Sequence, residues 1–419
     1  QCVNLNTHAY QHNMERSRDE PWDRPFLYLN LLLACRQEIY KNEQRAQKMN
    51  DQVVSGNKTR SSKRRRGKYG FTHNRKQRVY GALDLGTNNC RLLIAYPAGQ
   101  GFRVITSFSR IVRLGEGLSD RGHLSEGAMS RTIAALSICS DKLKAFDVTR
   151  TRNIATEACR RASNCDGFLK QIELQTGLNF ETVTSHEEAR LALKGCQNLI
   201  GENTNHALVF DIGGGSTEIV WAQRSNENNG KELSINDVIS LPLGVVTLAE
   251  ERDSKEIAPD LYDKLVLEIS ARLKNFCDRN GIQDQVDNGD VQMLGTSGTV
   301  TTLGAIHLNL PQYDRSKIDG LCIDFEDLRA ASQNLTELDY DARAAISCIG
   351  SDRAELVVPG CAILEAICRT WPVGELRIAD RGLREGMLLE LMAEDGIQIT
   401  GNRAANSAHT EEPAPFGTP

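Results

Sequence analysis

No run of apolar residues in this 419-residue chain approaches the roughly 18 that a bilayer-crossing helix needs, so no membrane partner is expected. The longest candidate, FLYLNLLLAC over residues 26–35, has neither a basic leader nor a small-residue cleavage site where a secretory signal would need one, and it reads as a short helix. Twelve cysteines are scattered without a CxxC pair or a Cys/His cluster. That excludes a recognisable zinc site or disulfide framework and suits a reducing cytoplasm. The eight histidines form no HExxH motif and no Ser-His-Asp arrangement, which removes zinc hydrolysis and triad-type covalent catalysis.

Acidic residues are missing from one stretch. Between Lys58 and Arg78 there are ten Lys/Arg and no Asp or Glu, leaving 40 basic against 55 acidic residues elsewhere. Such a tract suits nonspecific contact with nucleic acid, polyphosphate or anionic lipid; like-charge runs also remain as solvated, unfolded linkers, and both readings stand. With 40% hydrophobic and 25% charged residues, the chain can bury the cores of two domains and still carry an unstructured end.

From residue 78 the texture changes. VYGALDLGTNNCRLLIAY (79–96) is an apolar strand, a glycine turn and a second apolar strand, the pattern of a β-hairpin. A third strand follows in FRVITSFSRIVRLG, then a helix over 124–146 with Ser125 as N-cap, a strand in TRNIATEA, and a helix in CDGFLKQIELQTG. The pattern restarts at HALVFDIGGGSTEIVWAQ (206–223), where Asp211 stands 127 residues after Asp84 at the same place in the hairpin. Two similar α/β domains across a cleft, each offering one phosphate-binding hairpin, are expected. The divisions read as 1–77 for a basic extension, 78–204 and 205–395 for the domains, and 396–419 for a disordered tail. Later helices are expected over 260–278, 325–338, 361–368 and 384–394, with a buried strand at 291–294.

Each hairpin turn brings chemistry-bearing residue types together. Glycine lets backbone N–H groups approach phosphate oxygens, and the neighbouring Thr, Asn or Ser side chains add donors. The strand-end Asp cannot bind phosphate itself; its natural task is to hold Mg2+ or a water on it. DLGTNN alone is ordinary for an antiparallel hairpin. DIGGGSTE is not, because three glycines between buried strands weaken the sheet with no packing benefit.

The ordered stretches DLGTNNCRLLI, RLGEGL, ATEACRRA, EEARLALKG, VFDIGGGSTEIV, LPLGVVTL, GTSGTVTTLGA, DRAELVVPG and ADRGLREGML resemble the exopolyphosphatase and guanosine pentaphosphate phosphohydrolase family, over about residues 78–395. The resemblance implies an α/β fold of two actin-like, ribonuclease H-like domains with mixed sheets flanking a central cleft. It also implies Mg2+-assisted attack of water on a terminal phosphate of polyphosphate or guanosine pentaphosphate, and a homodimer. It further implies the short form of the family, lacking a C-terminal helical domain.

By the same resemblance, Glu188 orients and deprotonates the attacking water; spacing alone would leave it a helix-surface glutamate beside Glu187. Asp84, Asp211 and Glu218 match the acidic residues around the metal, and Asp211, Glu218 and Arg160 also count as catalytic. Gly86, Thr87, Asn88 and Arg91 of the first hairpin match phosphate-binding positions. So do Gly213, Gly214, Gly215, Ser216 and Thr217 of the second, together with Ser297 and Arg353. Guanidinium forks suit spread phosphate charge, although a surface arginine more often makes a salt bridge. A kinase of the same superfold would keep both hairpins, and a sensor without turnover would keep the binding residues. EEAR and ATEACR favour hydrolysis over the kinase.

Overall fold

The computed structural model describes residues 78–99, 101–225, 233–251, 259–397 and 399. The segment 26–35, the basic tract before Arg78 and nearly all of the tail lie outside the described residues.

The hairpin pattern folds as its alternation requires. β1 (Tyr80–Leu85) pairs antiparallel with β2 (Asn89–Ala98), which pairs with β3 (Gly101–Ile111). The chain passes through α1 (Glu126–Ala145), whose N-cap Ser125 accepts from the Ala128 amide at 3.2 Å. It returns in β4 (Arg150–Ala155), parallel to β1. TRNIATEA is strand only to Ala155; α2 (Glu157–Arg161) starts two residues later. Then come α3 (Cys165–Thr176), ended by Gly177 in the left-handed region (φ 72°), the short β5 (Glu181–Thr182) and α4 (Ser185–Cys196).

The second sheet repeats this plan. β6 (His206–Ile212), β7 (Thr217–Arg224) and β8 (Leu233–Leu241) form the antiparallel set. They are followed by α5 (Val245–Glu251), α6 (Pro259–Asn280), β9 (Val291–Thr296) parallel to β6, α7 (Gly298–His307), β10 (Cys322–Asp324), α8 (Phe325–Glu337), α9 (Val357–Thr370), β11 (Glu375–Ala379) and α10 (Leu383–Glu394). The sheet orders are β3-β2-β1-β4-β5 and β10-β11-β9-β6-β7-β8. With β11 matched to β5, these are the same topology with one extra edge strand.

Each sheet is covered on both faces, as near-continuous apolar strands such as LVF and LLI demand. One core packs β1 and β2 against α1 and α3 (Leu83, Leu92, Leu136, Phe168), and the larger one packs β6, β7 and β9 against α6 and α9 (Phe210, Trp221, Phe276, Ile363). The opposite faces meet α10 on the first sheet (Tyr80, Leu93, Met387) and α4 on the second (Ala189, Leu193, Val209).

The last helix thus crosses back to the first sheet, although the division at 204/205 assigned it to the second domain. Its apolar face finds Tyr80, Ala82 and Leu93 rather than the second core. Between the sheets α4 and α10 touch backbone to backbone: a Cβ on Gly195 would fall 1.9 Å from the Gly382 carbonyl oxygen, and one on Gly386 2.0 Å from that of Leu191.

Candidate active site

The two hairpin turns meet. A Cβ on Gly214 would lie 3.2 Å from both the Asn88 amide nitrogen and Thr87 Cβ, and one on Gly215 only 2.6 Å from Thr87 Oγ1. The glycines that looked unhelpful to a strand are what lets the turns approach this closely. Turn carbonyls are satisfied within each half: Thr87 O accepts from Gly115 N (2.9 Å) and Asn88 O from Val112 N (2.8 Å), while Gly213 O and Gly214 O accept from Val245 N (3.0 Å) and Val246 N (2.8 Å). Thr87 Oγ1 and Asn88 Oδ1, by contrast, are buried at the junction without a hydrogen-bond partner. Buried polar atoms left unpaired in this way mark a place where a ligand or water completes the bonding.

Acidic residues gather around the junction. Asp211 of β6 stands directly opposite Glu218 of β7, and Asp84 of β1 directly opposite Arg91 of β2. Burial pushes the Asp211 carboxyl up to about 6, with the charge of Asp84 adding to the rise and Arg91 opposing it. Glu218 is pushed up to about 7, by burial first and then by Asp211, although hydrogen bonds from Ser216 and Ser240 (Oγ to Oε1, 2.9 Å) and the charge of Arg160 hold it back. Asp84 is also raised by burial, against the pull of Arg91 and Arg384.

Glu188 sits in the first turn of α4, where Thr184 caps the helix by accepting from Glu187 N at 3.2 Å. The adjacent glutamates part company. Glu187 turns outward to Arg190 and Arg152, which hold its carboxyl down at about 2. Glu188 turns inward, and burial together with Glu218 and Asp211 raises it well above the ordinary range despite Arg160. Arg160 Nη1 donates to Glu188 Oε2 at 2.7 Å and Nε to Glu157 Oε2 at 2.9 Å. Its Nη2 lies 2.8 Å from Glu157 Oε2 and 3.8 Å from Glu218 Oε1 but makes no directed hydrogen bond.

The structure therefore brings together Asp84, Thr87, Asn88, Arg91, Arg160, Glu188, Asp211, Gly214, Gly215, Ser216 and Glu218. Gly86 and Gly213 lie beneath them, each closing its turn by donating from N to the carbonyl of the residue three later (both 2.9 Å). One expected residue turns away from the chemistry assigned to it. Thr217 is fully buried with its hydroxyl donating to Leu243 O at 2.8 Å, because the strand's alternation turns it away from Glu218 and the cleft. Ser297, in the strand-to-helix turn between β9 and α7 (φ 84°), donates to Ile212 O and lies close enough to Asp211 to hold that carboxyl down. Arg353 is exposed and lines a groove with Asn89 and Arg110.

Two residues were not singled out from sequence. Glu157 is the second carboxylate held by Arg160. Arg384, from ADRGLREGML, is near enough to Asp84, Arg91 and Glu385 to feel their charges, and burial lowers its pKa. No spacing signal could have found it, since 300 residues separate it from Asp84.

Fold and site together define an α/β protein of the actin-like ATPase superfold with an acidic cleft between two glycine turns. A sequence model of the Ppx/GppA phosphatase family matches residues 93–395, and the chain belongs to that family. It is similar to the Aquifex aeolicus PPX-GPPA enzyme, with 26% identity, a TM-score of 0.62, and coverage of 75% of this chain and 99% of that one. The type II variant of the Aquifex aeolicus Ppx/GppA phosphatase shows 27% identity, a TM-score of 0.58 and coverage of 75% and 99%. An exopolyphosphatase from Cytophaga hutchinsonii shares the fold at 22% identity, with a TM-score of 0.66 over 78% of this chain and 100% of that one. The protein is accordingly a hydrolase of the phosphatase type. Among the described residues no helix is long and apolar enough to cross a membrane.

Proposed function

We propose that the protein is a Mg2+-dependent phosphohydrolase that releases terminal orthophosphate from inorganic polyphosphate or guanosine pentaphosphate with water as acceptor. The observation that supports this most is the meeting of the two turns at unpartnered Thr87 and Asn88, beside carboxylates whose proton affinities burial and mutual repulsion have raised.

Among the described residues no group of three or more His, Cys, Asp or Glu is placed to hold a metal alone. Mg2+ does not require such a cage; it is commonly held by one or two carboxylates, retained waters and substrate phosphate. Asp211 and Glu218 face each other as two carboxylates short of a cation, Asp84 lies near, and the orphaned Asn88 Oδ1 suits a water of the hydrated ion. Asp211, Glu218 and Asp84 would hold Mg2+, directly or through water. When bound, the ion supplies neutralisation of phosphate charge.

The remaining work belongs to this chain's own groups. Glu188, kept basic by its raised proton affinity, orients a water and accepts its proton. Arg160 aims Glu188 through Nη1 and presents Nη2 to the transferring phosphoryl group. Thr87 Oγ1 donates to a phosphate oxygen, and Arg91 and Arg384 offset charge near Asp84. Positioning and charge stabilisation are what phosphoryl transfer chiefly needs. A homodimer, by family resemblance, in the reducing cytoplasm that the scattered cysteines suit completes this reading.

The test is phosphate release by the purified full chain from polyphosphate, guanosine pentaphosphate and ATP, with and without Mg2+. Release from either of the first two that requires Mg2+, and falls about 10²- to 10⁴-fold in Glu188→Gln, is expected. Release from none of them, or transfer from ATP to an added sugar or acid instead of water, would overturn the assignment.

A further inference from the structure

The charges around Glu187 close into a ring. Arg152 of β4 donates from Nη2 to Glu187 Oε1 (2.8 Å) and from Nη1 to Glu390 Oε2 of α10 (2.9 Å). Arg190, one turn further along α4, forks onto both acids: Nε and Nη2 reach Glu187 (2.7 and 2.8 Å), and Nη1 and Nη2 reach Glu390 (2.5 and 2.9 Å). Lys194 adds a third cation on Glu390 (3.2 Å) and Glu181 of β5 a third acid on Arg152 (2.8 Å), so the cluster is neutral. A lone exposed ion pair contributes little to stability, but forked pairs linked into one part-buried network are the exception. Glu390, on which three cations converge, keeps only 15% of its side chain exposed.

The three elements joined by the ring each deliver a residue to the cleft. β4 runs directly into α2 and Arg160, α4 carries Glu188 beside Glu187, and α10 carries Arg384 near Asp84. α4 and α10 run antiparallel, so that Gly195 meets Gly382, Leu191 meets Gly386 and Arg190 meets Glu390. The glycine contacts set how far apart the helices lie, but bare main chain does little to stop one sliding along the other. The ring, at the end where α4 begins, supplies directed bonds that a slide would break.

We infer that this ring positions Glu188: it fixes the register of α4 on β4 and α10, so that Glu187 faces the ring and Glu188 faces Arg160, and Glu390 is the residue on which that register depends. Glu390 is a positioning residue, acting through Arg190, Arg152 and Glu187. The inference rests on the proposed function for the role of Glu188, and it adds what decides which of two adjacent glutamates serves as the base.

The test is Glu390→Gln in the full chain, with Mg2+ and whichever of polyphosphate and guanosine pentaphosphate the parent hydrolyses. We expect kcat to fall about 10- to 100-fold, the effect of a misplaced catalytic group, with KM within about twofold of the parent. Glu390→Asp, which keeps the charge, should recover most of the loss. In a Glu188→Gln background the same Glu390→Gln change should lower kcat by less than about twofold, because no base is then left to aim. Amide exchange over residues 185–190 should quicken about tenfold in Glu390→Gln while β6 and β7 keep the parent's rates. Should Glu390→Gln fail to fold, Arg190→Gln, a change at a more exposed member of the ring, carries the same expectations.

An unchanged kcat, an equal loss with and without Glu188, or unchanged exchange at the start of α4 would overturn the inference. Exchange also separates the two proposals. Faster exchange in Glu390→Gln, in a protein whose parent releases no phosphate from any compound, would sink the hydrolase and keep the ring. Mg2+-dependent release indifferent to Glu390 would do the reverse.

Discussion

The two hairpins occupy equivalent places in two sheets of the same topology, yet they are charged differently at one position. DLGTNNCR and DIGGGSTE align residue for residue, and where the first has Arg91 opposite Asp84 the second has Glu218 opposite Asp211. In the first, the buried carboxylate has its counter-charge built in. In the second, two buried carboxylates face each other: burial and the charge of Asp211 raise the proton affinity of Glu218, while burial and Asp84 raise that of Asp211. A duplicated structural unit has thus been divided into a half whose charge is internally balanced and a half left short of a cation, which is where a metal and a phosphate chain would make up the balance.

The largest expected effect comes from neutralising the unbalanced half. Glu218→Gln should lower kcat by about 10²- to 10³-fold while raising the melting temperature, because an electrostatic contributor is lost and a buried like charge goes with it. Initial rates and thermal unfolding check the two signs together; a fall in both would mean the hairpins do not differ as argued.

Next is the pH dependence of stability without divalent ions. Asp211 and Glu218 bind protons more tightly folded than unfolded, at about 6 and 7 against ordinary values of 3.8 and 4.5. Their stabilising contribution is complete below the ordinary values and is lost as pH rises through 6 and 7. The unfolding free energy should therefore fall by on the order of 6 kcal/mol between about pH 4 and 8. Denaturant titrations should show that fall shrinking in Glu218→Gln, and added Mg2+ should raise the melting temperature more at pH 8 than at pH 5. A flat profile would remove the proposed repulsion.

Arg91→Gln, the matching change in the balanced half, should act with opposite sign on stability, lowering it by about 2 kcal/mol by leaving Asp84 without its cross-strand partner. The smallest effects separate the turns themselves. Gly215→Ala would place its Cβ 2.6 Å from Thr87 Oγ1 and should destabilise by about 1–2 kcal/mol with a raised KM, whereas Gly86→Ala meets only Asn89 O at 3.5 Å and should change stability by less than about 1 kcal/mol. Equal costs at the two glycines would show that the turns do not press together in solution.

Much of this was legible in sequence because it is written locally. The apolar-Asp-apolar-Gly pattern at 79–96 and 206–223 fixes a strand, a turn and the side on which the carboxylate emerges, and its recurrence implies two facing copies. Ser125 announces a helix start by capping chemistry alone. What was not legible depends on which faces meet. Nothing local to Leu383–Glu394 says that it packs on the first sheet rather than the second. Arg384 and Glu157 enter the carboxylate cluster only through that packing and through the fork of Arg160. Thr217 was expected at the ligand by the resemblance of its glycine hairpin. Strand alternation turns it inward to Leu243 O.

The glycine contact between α4 and α10 has a mechanical consequence. Where helices are separated by side chains, rotamer changes let them tilt or spread; at Gly195 and Gly386 main chain meets main chain, and at those two points no rotamer is available to absorb a change in spacing. Any opening of the cleft must then proceed as a small shear of one helix along the other, at constant separation. The clearance between the glycine turns would be governed by that slide.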